Sequence, residues 1–154
     1  MTDYIVVERS TTIEAPAERI SPFIIDFHEW VDWSPWEGID PNLERTYNGP
    51  DVGVGASYSW SGNRAAGAGT MQIESIDDSS IELALTFTKP FKSNSRTRFD
   101  LTPDGTGTAV TWQVLTPKTL LLRVMSLFMK LDKTVGPDLE KGLAQLKVVA
   151  EKLA

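Results

Sequence analysis

The chain has one side chain that titrates near neutral pH, His28, in the stretch FHEWVDWSPWE (residues 27–37), with Asp26 two residues before it and Asp32 four after it. A helical turn there would bring His28 beside Asp32, a pairing suited to holding a proton. The chemistry around it is incomplete. One imidazole and no cysteine make too small a set of strong ligands for zinc, and no nucleophile is visible for His28 to activate as a general base. The expectation is a structural histidine, with no metal site and no cofactor. SGNRAAGAGT (61–70) has serine and glycines but no G-x-S-x-G elbow, and Gly53-x-Gly55 does not open a helix as a phosphate-binding loop would.

Aromatic surface is the feature left over. Three of the five tryptophans, Trp30, Trp33 and Trp36, follow one another at three-residue spacing. Ser34-Pro35 argues against one continuous helix through all three, because the residue before a proline is pushed out of the helical region. Trp30 and Trp33 are therefore expected to share a helical face as packing residues, and Trp36 to begin the following loop at the mouth of a cavity.

The elements that must position these rings are legible from hydrophobic periodicity. Residues 4–14 suit a first strand. Pro16 then opens a helix carrying Ile20, Phe23, Ile24 and Phe27 at helical spacing, which Pro22 is expected to kink or break. Turn residues and a short strand occupy 38–56. SYSWS (57–61), GTMQIESI (69–76), IELALTF (81–87), SNSRTRFDL (93–101) and TAVTWQVL (108–115) alternate as half-buried strands joined by hairpin turns, and are therefore antiparallel. The alternation places Tyr58, Trp60, Met71, Ile73, Leu83, Leu85, Phe87, Phe99, Val110 and Trp112 on the inward face. After Pro117 the period becomes helical, over 119–131 and again over 138–153, with Gly136-Pro137 expected to separate or kink the two runs. Residues 119–131 have more apolar positions than one buried stripe needs. A wide core-facing helix, a lid over the cavity and a self-association face giving a homodimer all fit.

Composition narrows the functional classes. One domain spanning 1–154 is expected from the length, and 41% apolar against 23% charged residues is the balance of a folded globular chain. A net charge of −6 gives no general pull toward nucleic acid or anionic membranes, with Arg96 and Arg98 as a local basic exception. TLLLRVMSLFMKL is too short and too charged to span a bilayer, and MTDYIVVERS lacks the pattern of a secretory signal. A cytoplasmic protein with no integral membrane segment is the expectation.

Four stretches, in this order along the chain, carry a family resemblance: IEAPAERI, DFHEWVDWSPWE, VGVGASYSWSGN with GAGTMQI, and VGPDLEKGLAQLK. Together they resemble the START-like (SRPBCC) superfamily, and within it the polyketide cyclase/dehydrase group. The resemblance implies an α+β helix-grip fold: a curved antiparallel sheet wrapped around a long C-terminal helix, two short helices after strand 1, and an internal cavity. It implies little about activity, since the superfamily includes lipid carriers, hormone receptors, cyclases, dehydrases and chaperone activators, and fold does not fix function.

The expected function is binding of a hydrophobic or aromatic small molecule, lipid-like or polyketide-like, in that cavity. The expected ligand-binding residues are Trp36, Tyr58, Trp60, Met71, Ile73, Leu85, Phe87, Phe99 and Trp112. Tyr58 is the inward polar group that would orient the ligand, with Asn63, Arg64 and Gln113 as weaker candidates. A polyketide cyclase or dehydrase is the alternative. No catalytic constellation is evident for it, and Glu37, His28 or Arg96 pointing into the cavity would favour it. The second alternative is an interaction module of chaperone-activator type, with an exposed apolar patch and a filled interior.

Overall fold

The computed structural model describes residues 4–36, 40–63, 67–89, 93–117 and 125–152, with side chains of the last helix from 135 onward. The alternating segments form seven strands: β1 (Tyr4–Ile13), β2 (Glu44–Asn48), β3 (Ser57–Ser61), β4 (Ala68–Ile76), β5 (Ser80–Lys89), β6 (Ser93–Asp104) and β7 (Gly107–Pro117). They make one antiparallel sheet in the order β1-β7-β6-β5-β4-β3-β2, so the chain runs as a meander and its first strand closes beside its last. The β6–β7 hairpin turns through Gly105-Thr106, with Gly105 in the left-handed region that a two-residue hairpin loop requires. Its register sets Phe99 directly opposite Trp112.

Between β1 and β2 lie helix α1 (Ala17–Ile25) and a 3₁₀ helix (Phe27–Asp32). Pro22 neither breaks nor ends α1, contrary to one reading of the sequence. The boundary falls at Asp26, whose extended backbone ends α1 and whose carboxylate accepts the His28 backbone N–H to start the next helix. The 3₁₀ form also explains the tryptophan spacing, because a helix of three residues per turn sets positions i and i+3 one above the other. Trp30 and Trp33 are both buried.

Helix α2 (Met125–Lys152) carries Pro137 inside it, so Gly136-Pro137 does not separate two helices as the sequence suggested. The proline removes one backbone donor, but the turns on either side remain helical and the loss is local. Leu139, Leu143, Leu146 and Ala150 form the buried stripe of α2, which packs chiefly against β1 with contacts to β7, α1 and the 3₁₀ helix. Polar ties hold the helix in register with the end of β1. Lys147 Nζ donates to the Thr12 carbonyl at 2.7 Å, and Glu151 accepts the Glu14 backbone N–H at 2.8 Å and pairs with Lys147 at 2.7 Å. Residues 119–131, read as lid, dimer face or core, lie outside the described residues apart from the helical backbone beginning at Met125.

Candidate functional site

Because α2 lies along the β1–β7 side of the sheet, the inner face of β3, β4 and β5 needs another cover. The segment from Phe27 to Trp36 supplies part of it and leaves a cavity of about 220 Å³. Its sheet wall is Tyr58 and Trp60 from β3, Met71 from β4, Leu85 and Phe87 from β5 and Val114 from β7. Phe27, Trp30, Val31, Ser34 and Trp36 face them, with Leu43, Tyr47 and Val135 completing the lining. Tyr58 and Trp60 occupy alternate positions of one strand and therefore one face, where their rings lie 6.1 Å apart and within 19° of parallel. Phe27 continues this surface, 5.9 Å from Tyr58 at 28°, and Phe87 meets Trp60 edge-on at 5.5 Å.

The tryptophans hold this wall through their indole donors. Trp30 and Trp33 donate to the carbonyls of Ile24 and Phe23, each at 2.9 Å, satisfying two acceptors that the C-terminal end of α1 leaves open. Trp36 donates to Asp138 Oδ2 at 3.1 Å and so ties the loop after the 3₁₀ helix to α2. Trp112 is 1% exposed, and its indole N–H has no hydrogen-bond partner among the described residues. Gly142 of α2 makes the space for it: a Cβ there would stand 2.7 Å from the Trp112 ring and 2.9 Å from Pro35.

Of the residues expected at the site, Trp36, Tyr58, Trp60, Met71, Leu85 and Phe87 line the cavity. Ile73, Phe99 and Trp112 do not. Ile73 is fully buried beyond the cavity wall, where the loop before β3 pairs with its backbone through the Gly55 N–H and the Ala56 carbonyl. Trp33 seats edge-on against both Phe99 (6.0 Å) and Trp112 (5.5 Å), while those two stack on each other at 4.9 Å. They form the packed half of the interior, next to the open half. Phe27, Trp30, Val31, Ser34, Leu43, Tyr47, Val114 and Val135 also line the cavity but were not expected there. For Trp30 and Val114 a signal existed, since spacing and parity already put them on inward faces. Leu43 sits beside and Tyr47 in the edge strand β2, whose sequence ERTYN has a single aromatic residue and no alternation to read.

His28 does not pair with Asp32. Its Nδ1 lies 2.8 Å from Asp26 Oδ1, and its ring stacks on Tyr47 at 4.1 Å, because Asp26 is fixed beside it as the cap of the same short helix. It is exposed and absent from the cavity wall. The basic pair on β6 is on the outer face of the sheet: Arg96 meets Glu74 at 3.0 Å, and Arg98 meets Asp100 at 2.9 Å and Glu82 at 3.2 Å. The hydrogen bond and charge of Asp100, with Glu82 beyond, hold Arg98 more firmly protonated than usual, so this pair is a neutralised ladder with no bare positive patch. Gln113 is also on the outer face and donates to Glu8 at 3.0 Å, and the Asn63 backbone N–H donates to Asp40 at 2.7 Å in an exposed turn. Glu37 and Arg64 lie outside the described residues. Among the described residues no three metal-ligating side chains converge, and no helix is long and apolar enough to cross a membrane.

Residues 4–151 match the family profile described as polyketide cyclase/dehydrase and lipid transport. No curated protein matches the chain. Among solved structures, protein SA2116 of Staphylococcus aureus superposes with a TM-score of 0.73 at 12% identity, covering 98% of this chain and 96% of that one. Protein MLL2253 of Mesorhizobium loti superposes at 0.69 with 14% identity over 97% and 98% of the two chains. The Aha1 dimer of Colwellia psychrerythraea superposes at 0.64 with 13% identity over 96% of each. At these identities the likeness is one of fold.

Proposed function

The chain belongs to the polyketide cyclase/dehydrase and lipid transport family, and from that premise we propose that it binds a hydrophobic or aromatic small molecule in the cavity between the sheet and the Phe27–Trp36 segment. One observation carries this reading. The interior has a preformed space of about 220 Å³ whose wall is aromatic and aliphatic, and no Asp, Glu, Lys, Arg or His belongs to that wall among the described residues. An apolar hollow with a few polar groups is the usual form of a small-molecule site. Burial of ligand surface would supply the affinity, at roughly 25 cal/mol per Å² before the costs of association. Tyr58 is the wall residue whose hydroxyl would orient the ligand.

The cyclase or dehydrase alternative needs an acid or base within reach of bound substrate. The described wall offers tyrosine hydroxyls and one serine, and His28 and Arg96 lie elsewhere, so non-covalent binding is the better supported reading. An interaction module of chaperone-activator type was expected to have a filled interior, and the cavity counts against it. Native mass spectrometry of protein purified gently from its own host tests the proposal directly. The expected result is a co-purifying apolar compound of defined mass. Repeated recovery of ligand-free protein, with no thermal shift from a library of lipids and aromatics, would overturn it.

A further inference from the structure

We infer that the cavity is shaped for an uncharged aromatic molecule of one or two rings bearing a hydrogen-bond acceptor, and that the Ser34 hydroxyl is the group that selects for that acceptor; this rests on the binding function proposed above.

Size sets the first limit. A dry cavity of about 150 Å³ accepts benzene, and pockets for drug-sized ligands begin at roughly 300 Å³. A volume of about 220 Å³ falls between them, which fits a bicyclic ring system better than a long acyl chain. Shape sets the second. Phe27, Tyr58 and Trp60 form a run of stacked rings, within 28° and 19° of parallel from one neighbour to the next, an aromatic wall on which an aromatic ring of the ligand gains edge or face contact.

Charge sets the third. The described wall contains no cation to meet a carboxylate and no anion to meet an amine, and an unpaired charge is costly to remove from water. A fatty acid or aromatic acid would therefore have to leave its charged group at the mouth.

Beside Tyr58, which orients the ligand, and Tyr47, which is already partnered, the described wall offers the hydroxyl of Ser34. The indole donors of Trp30, Trp33 and Trp36 are already committed to Ile24, Phe23 and Asp138. Ser34 Oγ accepts the Trp36 backbone N–H at 3.3 Å, and its own hydrogen goes to no acceptor among the described residues. A half-buried hydroxyl on the cavity wall, with one lone pair occupied and its proton unspent, is free to rotate and donate to a bound ligand. It recognises a carbonyl or ether oxygen.

Affinities of acetylnaphthalene, naphthalene, naphthoate and decanoate, measured by NMR titration against wild-type protein, Ser34→Ala and Ser34→Thr, test this. The ketone should bind the wild type and Ser34→Thr about fivefold more tightly than naphthalene, the worth of one net hydrogen bond. In Ser34→Ala the ratio of ketone to naphthalene affinity should fall to about one, and in the wild type both acids should bind at least about tenfold more weakly than the ketone. The bound ketone's infrared carbonyl stretch in the wild type should move to lower frequency, a reading that does not depend on how Ser34→Ala folds. A ketone advantage that is missing in the wild type or survives in Ser34→Ala, an unshifted carbonyl stretch, or tighter binding of either acid would overturn the inference and leave the binding function standing. Failure of all four compounds to bind would overturn both.

Discussion

Trp36 Nε1 donates to Asp138 Oδ2 across 3.1 Å, joining residues 102 positions apart at the edge of the cavity. The bond gives the Trp36 ring, which lines the cavity and sits edge-on at 5.7 Å from Trp112, one fixed orientation between the loop and α2.

Replacing Asp138 with alanine removes that acceptor and leaves a partly exposed indole free to swing. The expected loss of stability is about 1 kcal/mol, small because water can replace the carboxylate. The larger effect should be on ligand dissociation, which should speed up severalfold, while Asp138→Asn, which keeps an acceptor, should stay near wild type. Denaturant titration and stopped-flow ligand release measure the two.

Gly69 allows the Trp60 ring to lie flat on β4. A Cβ at that position would stand 2.7 Å from the ring and collide with the Thr86 backbone carbonyl of the neighbouring strand, which cannot give way as a side chain end could. Gly69→Ala should therefore cost at least about 2 kcal/mol and push Trp60 into the cavity, with loss of ligand binding. Chemical denaturation and titration with naphthalene would check both effects. Unchanged stability would mean that the β4–β5 pairing is looser than its register implies.

Glu151 accepts hydrogen bonds from Lys147 and from the Glu14 backbone N–H, and these, the Lys147 bond foremost, hold its carboxyl below the usual glutamate range. A depressed folded-state pKa contributes stability that is fully present above the ordinary carboxylate range and is lost as pH falls through the folded value. The helix-to-strand tie should therefore weaken on the acid side, and thermal melting of Glu151→Gln should show a shallower fall in stability with acidification than wild type. Identical acid limbs would remove Glu151 from the account.

Much of this architecture was readable before the structure, because alternation over β3 to β7 and the 3.6-residue period of α2 are long enough to be unambiguous. The sheet half of the cavity followed from the same parity: Tyr58, Trp60, Met71, Leu85 and Phe87 all line it. Parity says which face a residue is on but not what covers that face. Ile73, Phe99 and Trp112 have the same parity as the lining residues and are nonetheless buried outside the cavity, Phe99 and Trp112 against Trp33. The other half of the wall was harder to see, since Trp30 and Trp33 are related by a 3₁₀ turn that α-helical periodicity does not score and Trp36 lies beyond that helix. Pro22 and Pro137 did not act as break points, because each costs one hydrogen bond in a helix whose turns on either side remain helical.

Methyl-resolved NMR during titration with a neutral bicyclic aromatic such as acetylnaphthalene shows whether a ligand seats on the aromatic wall. Saturable shifts are expected at the methyls of Leu43, Met71, Leu85, Val114 and Val135, which line the cavity, with the buried methyls of Ile13, Ile20 and Ile73 little changed. Shifts confined to the exposed Val52 and Val54, or none up to the solubility limit, would contradict that seating.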